Sequence, residues 1–320
     1  MQDLILCAGI LAPVFMLVGL GYALRLLHIT NDNFIEVGSN LLFFVFLPCS
    51  LFMNLYNSNF TSIWNPKLAL FVVVTHVCFT LLLAFLLPRF FKEREKCGII
   101  IQGAFRGNVI LLGLPLAISM YGSSGTGTTS VIMAYSIPLY NILGVAILAI
   151  FYDGKENKKI NWGNILFKII KNPLVIATLA ALPFALTGVR LPALPTTVIQ
   201  NVGGIASAFG LMLLGAQMRI SSIHKNKAPI AAAVVLKLVV FPLAVLSLAV
   251  LFGFTKIEIG SLFILTAAPM SVSSFIMANN MGGEGELAGQ MVVISTICSM
   301  LTMLVGLYIL KLFGVIYAAL

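Results

Sequence analysis

The sequence predicts an all-α polytopic membrane protein: ten transmembrane helices forming two inverted five-helix repeats. That expectation rests on composition, on run length and on an odd-numbered duplication. Of 320 residues, 60% are hydrophobic and 9% charged, whereas a water-soluble domain is typically about a quarter charged because it must coat itself with ions. The mean hydropathy is +1.07, and the apolar residues fall in runs of about 20, the length that crosses a bilayer as a helix. Five runs precede one basic polar stretch and five follow it. An odd number of crossings per half turns the second half upside down relative to the first.

The first half gives Leu4–Leu27, Phe34–Leu55, Lys67–Leu87, Cys97–Tyr121 and Ser130–Tyr152, and the second gives Trp162–Leu186, Thr196–Met218, Ala228–Phe252, Glu258–Asn280 and Leu287–Leu312. The repeats are therefore expected at 1–152 and 162–320, joined by a polar cytoplasmic linker at 153–161 that contains Lys155, Lys158 and Lys159. Connections are short, with no room for a soluble domain. The start, Met1-Gln2-Asp3 before a long apolar run, lacks the positive charge and short core of a secretory signal, so the first span is expected to stay.

Lysines and arginines remain on the cytoplasmic side of a membrane. On this span assignment thirteen fall on one side, among them Arg25, Arg89, Lys92, Arg94, Lys96 and Arg219, and four on the other: Lys67, Arg190, Lys256 and Lys311. The remaining two, Arg106 and Lys237, lie inside spans. An integral plasma (inner) membrane protein with both termini extracytoplasmic is expected. The net charge of +9 is spread over loop anchors and does not form a nucleic-acid-binding face.

Soluble chemistries are poorly supported. The five cysteines are scattered, the histidines His28, His76 and His224 are far apart, and no Cys/His cluster, Walker loop, HExxH, GxSxG or EF-hand pattern occurs. No metal, cofactor or catalytic residue is expected.

Spans four and nine differ from the rest. Span four contains Gln102-Gly103-Ala104-Phe105-Arg106-Gly107-Asn108-Val109, followed by Gly113-Leu114-Pro115. Span nine contains Ala268-Pro269-Met270-Ser271-Val272-Ser273-Ser274. Glycine loosens a helix and proline deletes one of its hydrogen bonds. Such breaks persist in lipid only where they line a cavity or are buried in protein. Paired interruptions in two halves point to a binding site. Other prolines (Pro13, Pro48, Pro138, Pro183 and Pro242) are expected as ordinary kinks. Faint internal echoes pair Pro13 with Pro173, Val37-Gly38 with Val202-Gly203, and Tyr121-Gly122 with Met281-Gly282-Gly283.

No Asp or Glu lies deep in a span; Glu36 and Glu258 sit at span entrances. A midplane carboxylate is the common carrier of a coupling ion, so its absence argues against such coupling. Arg106 and Lys237 leave the interior positive, and the half-helix N-termini at the breaks add to that. The inference is an anionic substrate, a carboxylate. Snorkelling to an interface is the alternative for both cations. Gln102 lies one turn before Arg106 and shares its face. Asn108 directly follows the break and is expected to touch the ligand, while Asn141 is as well explained by interhelical hydrogen bonding.

The run Gly107-Asn108-Val109-Ile110-Leu111-Leu112-Gly113-Leu114-Pro115-Leu116, ending in Met120-Tyr121-Gly122, resembles the fourth helix of the auxin efflux carrier family. Ala268-Pro269 with Phe275 and Ala278 is similar to its ninth. The length and the lack of a large central loop resemble bacterial members described as malate or malonate permeases. The resemblance implies a fold related to bile-acid/sodium symporters, with a scaffold of helices one, two, six and seven. Helices three to five and eight to ten would move as an elevator, with four and nine crossing at the site and a homodimer forming through the scaffold. Asn108 matches the crossover asparagine and Pro269 the crossover proline. Plant members carry proline immediately before that asparagine, where this chain has Gly107.

The expected function is secondary transport of small organic anions such as malate or malonate. The substrate would be bound by Asn108, Ser271 and Ser273 with Gly107, Val109, Pro269, Met270, Asn141 and Gln102 around them, and Arg106 or Lys237 would balance charge. Uniport or exchange is expected; a sodium- or proton-coupled symporter and a ligand-binding membrane sensor are the alternatives. An intramembrane enzyme would need a midplane acid, a His pair or a nucleophile with its base, and none converge. With no ATP-binding motif, a primary pump would need a separate subunit.

Overall fold

The computed structural model describes residues 2–57, 65–109, 113, 116–117, 120–121, 127–152, 162–218 and 225–316, with side chains from 12 onward apart from 14, 162, 164–165 and 168. The linker 153–161 and residues Ile110, Leu114, Pro115, Gly122, Arg219 and His224 lie outside the described residues.

The chain is helical throughout the described residues: α1 (Gln2–Leu26), α2 (Asp32–Leu41), α3 (Leu47–Tyr56), α4 (Pro66–Phe90), α5 (Arg94–Phe105), α6 (Gly127–Tyr152), α7 (Trp162–Lys171), α8 (Pro173–Thr187), α9 (Ala193–Gln217), α10 (Lys227–Val235), α11 (Phe241–Leu251), α12 (Lys256–Ala267), α13 (Val272–Asn280) and α14 (Gly285–Leu312). Among the described residues, six continuous helices are long and apolar enough to cross a membrane: Asp32–Tyr56, Pro66–Phe90, Gly127–Tyr152, Ala193–Gln217, Lys227–Leu251 and Gly285–Leu312. Large side chains such as Leu81, Phe85, Leu194 and Leu243 project outward on this surface, which water would not tolerate and lipid does.

Local sequence explains the boundaries. Pro48 and Pro242, expected as kinks, each follow one π-helical turn, Leu42–Phe46 and Leu236–Val240. A proline cannot donate to the carbonyl four residues back. The ladder widens instead: Leu47 N–H reaches the Leu42 carbonyl and Phe241 N–H that of Leu236. Glu258, placed at a span entrance by sequence, closes a capping box with Thr255 and also accepts from Asn65 Nδ2 at 2.7 Å.

Span six requires correction. The stretch Trp162–Leu186 is two helices, α7 and α8, separated at Asn172. Pro173 disfavours helical backbone in the residue before it and suits the first helical position; Asn172 accepts from Leu174 N–H as the cap. The echo between Pro13 and Pro173 fails with it, since Pro13 lies within α1 while Pro173 starts α8.

The helices pack as two groups. One joins α1, α2, α3, α8 and α9; the other joins α4, α5, α6 and α10–α14; α7 touches a helix of each, α8 and α6. In the first, α1 and α9 touch at glycine: a Cβ on Gly21 would strike the Met212 carbonyl, and one on Gly215 the Val18 carbonyl. A second echo, Gly38 and Gly203, places each glycine on the opposite span, against Leu213 and Phe209 and against Cys49 and Ser50. Small residues allow this close approach where no hydrophobic force drives helices together. In the second group, the broken helices are innermost: every residue from Cys97 to Phe105 and from Ile259 to Ala267 is buried.

Candidate functional site

The two interrupted spans meet back to back. α5 ends at Phe105 and α12 at Ala267, and extended backbone follows both, with Arg106 at φ −89°, ψ 103° and Ala268 at φ −55°, ψ 138°. Gly107 and Met270 form an antiparallel bridge. Asn108 N–H donates to the Pro269 carbonyl at 2.7 Å, and Ser271 N–H to the Arg106 carbonyl at 3.2 Å. Met270 N–H donates to Ser295 Oγ at 3.1 Å. Backbone groups freed by each break thus find partners in the other or on α14, as buried amides must. α13 then begins at Val272, so its positive end faces the crossing.

Two small cavities flank this bridge. One of about 40 Å³ is bordered by Arg106, Gly107, Asn108, Val109, Asn141, Ser271 and Ser273, together with Leu51, Ile137 and Tyr140. The other, about 70 Å³, shares Leu51, Asn108, Ser271 and Ser273 and adds Ser50, Asn54, Ser207 and Ile276. Ser271 and Ser273 hydroxyls are 2.7 Å apart. Seven of the eleven residues expected at the site therefore border one cavity.

The other four stand behind the bridge or beside it. Pro269 and Met270 supply backbone, and the Met270 thioether packs where a Gly103 side chain would be. Gln102 Nε2 reaches Met277 Sδ at 3.0 Å. Lys237, in the π-helical turn after α10, is fully buried and does not snorkel. Its Nζ lies 3.1 Å from the position of a Gly107 Cβ.

Arg106 is 3% exposed. Its Nη2 donates to Asn141 Oδ1 at 2.8 Å and its Nη1 approaches Met277 Sδ at 3.6 Å, while Asn141 Nδ2 donates to Thr178 Oγ1 at 3.1 Å. Asn141 is thus a bridge from the guanidinium to α8. Gly144 makes room, since a Cβ there would lie 3.1 to 3.3 Å from Gln102 Nε2, Arg106 Nη1 and Met277 Sδ. No carboxylate among the described residues is buried, so the site has positive charge, amides and hydroxyls without a fixed anion.

Sequence reasoning missed Tyr140 and the residues of spans two and seven. Tyr140 hydroxyl lies 3.3 Å from His76 Nε2, and His76 Nδ1 lies 2.7 Å from the Val72 carbonyl. A carbonyl only accepts, so Nδ1 carries the proton of the neutral ring and Tyr140 donates to Nε2. Ser50 and Asn54, one turn apart in an apolar span, were the available signal. A much larger cavity, about 780 Å³, opens where α1 and α9 end; Tyr22, Arg25, Asp32, Glu36, Gln217 and Asn279 border it.

A family model described as membrane transport protein matches residues 7–307. An uncharacterized transporter of Methanocaldococcus jannaschii is 22% identical over 90% of this chain and 94% of its own length. A Rhizobium meliloti protein named "Putative malonate transporter" is 22% identical over 95% of both chains. An uncharacterized transporter of Escherichia coli K12 is 26% identical, covering 85% of this chain and 87% of its own.

Proposed function

Because this chain belongs to the membrane transport protein family, that of the auxin efflux carriers, we propose that it is a secondary carrier of small organic anions, mono- or dicarboxylates of malonate or malate size. The observation that carries this reading is the shared border of the two cavities. Asn108, Ser271 and Ser273 present an amide and two hydroxyls to both, and the Arg106 guanidinium borders one. Carboxylate oxygens accept from such groups, and the positive end of α13 favours an anion beside them.

The ten-span plan of two inverted repeats, 1–152 and 162–320 about the linker 153–161, accompanies this reading. Spans one, two, six and seven form the scaffold, through which two copies pair. Spans three to five and eight to ten form the element that moves as an elevator. The division of the helices into two packed groups supports that assignment, and the cavities lie where the groups meet. In the plasma membrane, the charge bias favours both termini outside, so that the 780 Å³ cavity bordered by Arg25 opens to the cytoplasm. With no buried carboxylate among the described residues to hold a coupling ion, transport proceeds as uniport or exchange driven by the anion gradient and the membrane potential.

The test is uptake of labelled malonate and malate into proteoliposomes under a potassium diffusion potential, with sodium and pH varied independently. Uptake that follows voltage and ignores both cations is expected. Uptake that requires sodium or a proton gradient would replace uniport by symport. Failure of a wide anion panel, with wild-type protein folded and inserted, would refute the anion reading.

A further inference from the structure

The position of Lys237 deserves a role beyond charge balance. It is fully buried, and its ammonium makes no hydrogen bond among the described residues. An unpaired buried charge is costly, so it persists where something else compensates it. The π-helical turn that carries it packs against α5, α12 and α14. The Leu265 carbonyl oxygen lies 3.0 Å from the position a Gly107 Cβ would take, and Lys237 Nζ lies 3.1 Å from that same point. The centroid of the Phe241 ring lies 5.5 Å from Nζ, and the His76 ring packs edge-on against Phe241, 4.9 Å away between centroids. The cavity that holds Arg106 and Asn108 does not include Lys237.

Helices α5 and α12 both end at the crossing, and the last carbonyls of a helix lack intrahelical partners and carry the negative end of its dipole. Two such ends converge beside Gly107, with no buried carboxylate among the described residues. That arrangement calls for a cation, and carbonyl oxygens are the ligands a hard cation takes. The residue that makes room for one is Gly107, whose missing side chain leaves space for the ammonium.

We propose that Lys237 is a built-in cation of the crossing. Its ammonium supplies, as part of the chain, the positive charge that a free sodium-sized cation would otherwise bring to the carbonyl ends of α5 and α12. Transport therefore needs no coupling cation. The inference rests on the carrier reading above for its functional consequence, but not for its physical test.

Thermal unfolding in detergent, in sodium, lithium and choline chloride, reads the cation site without any substrate. The wild type melts at the same temperature in all three. Lys237→Met, which keeps the bulk and removes the charge, melts lower in choline and recovers about 4 °C in sodium or lithium, because a ligand bound only by the folded state stabilises it. Sodium stabilisation of the wild type, or a Lys237→Met melt indifferent to every cation, overturns the proposal. In uptake, Lys237→Met falls about tenfold in choline and is partly restored by sodium; wild-type uptake by the variant in choline overturns the proposal as well. If Lys237→Met yields no folded protein, Gly107→Ala takes its place. Its methyl group meets Nζ, displaces the ammonium, and gives the same cation-dependent melt. A failed anion panel with the expected melts rejects the substrate reading alone, whereas flat melts with working uptake reject the role of Lys237 alone.

Discussion

Asn108 and Pro269, 161 positions apart in the chain, are joined by one backbone hydrogen bond of 2.7 Å. Together with the return bond from Ser271 to the Arg106 carbonyl, it closes a two-stranded crossing in the middle of the helices. The consequence is that the Asn108 side chain is held by backbone geometry and remains available to both cavities.

Asn108→Ala leaves that backbone bond in place and removes only the amide. Anion uptake is expected to fall about tenfold or more, with an unchanged melting temperature. Wild-type uptake kinetics in the variant would remove Asn108 from the site. Pro269→Ala is expected to impair uptake with little effect on folding, since the bonds of the crossing use backbone atoms.

Asn141→Leu acts differently. It removes the acceptor of the Arg106 guanidinium and the link to Thr178. Losing a hydrogen bond to a buried charged group costs about 2 kcal/mol or more, so a lower melting temperature should accompany any loss of transport. A variant as stable as the wild type would show that Arg106 finds another acceptor.

Gly144→Ala tests how firmly Arg106 is positioned. The new methyl would lie 3.1 Å from Gln102 Nε2 and 3.2 Å from Arg106 Nη1, so the guanidinium must shift by a few tenths of an ångström. The expected result is a KM raised about threefold with the same amount of folded protein. An unchanged KM would mean that the guanidinium does not contact substrate.

Glycines in α9 provide a matched stability pair. Gly215→Leu drives a side chain into the Val18 carbonyl of α1, whereas at Gly204 a Cβ meets nothing within 4 Å. Overpacking of this kind costs about 1–3 kcal/mol or more. Loss of folded protein is expected for Gly215→Leu and near-normal recovery for Gly204→Leu, measured by size exclusion after extraction. Equal recovery would contradict the close α1–α9 contact.

The sequence by itself determined the helical membrane class, the extent of most spans and the places where spans four and nine break. These properties follow from one-dimensional physics: bilayer thickness sets run length, and glycine, proline and small polar residues betray a helix that cannot continue. The split of span six at Asn172-Pro173 was legible by the same rule, though a continuous apolar run concealed it. The tertiary structure alone decided which faces meet. It turned Lys237 inward against Gly107, gave Arg106 its acceptor on α6, and brought Leu51 and Ser207 from spans two and seven to the cavities. An apolar span has little amphipathic contrast between its lipid and protein faces, so its sequence period does not reveal its orientation. Only contacts between residues far apart in the chain settle that.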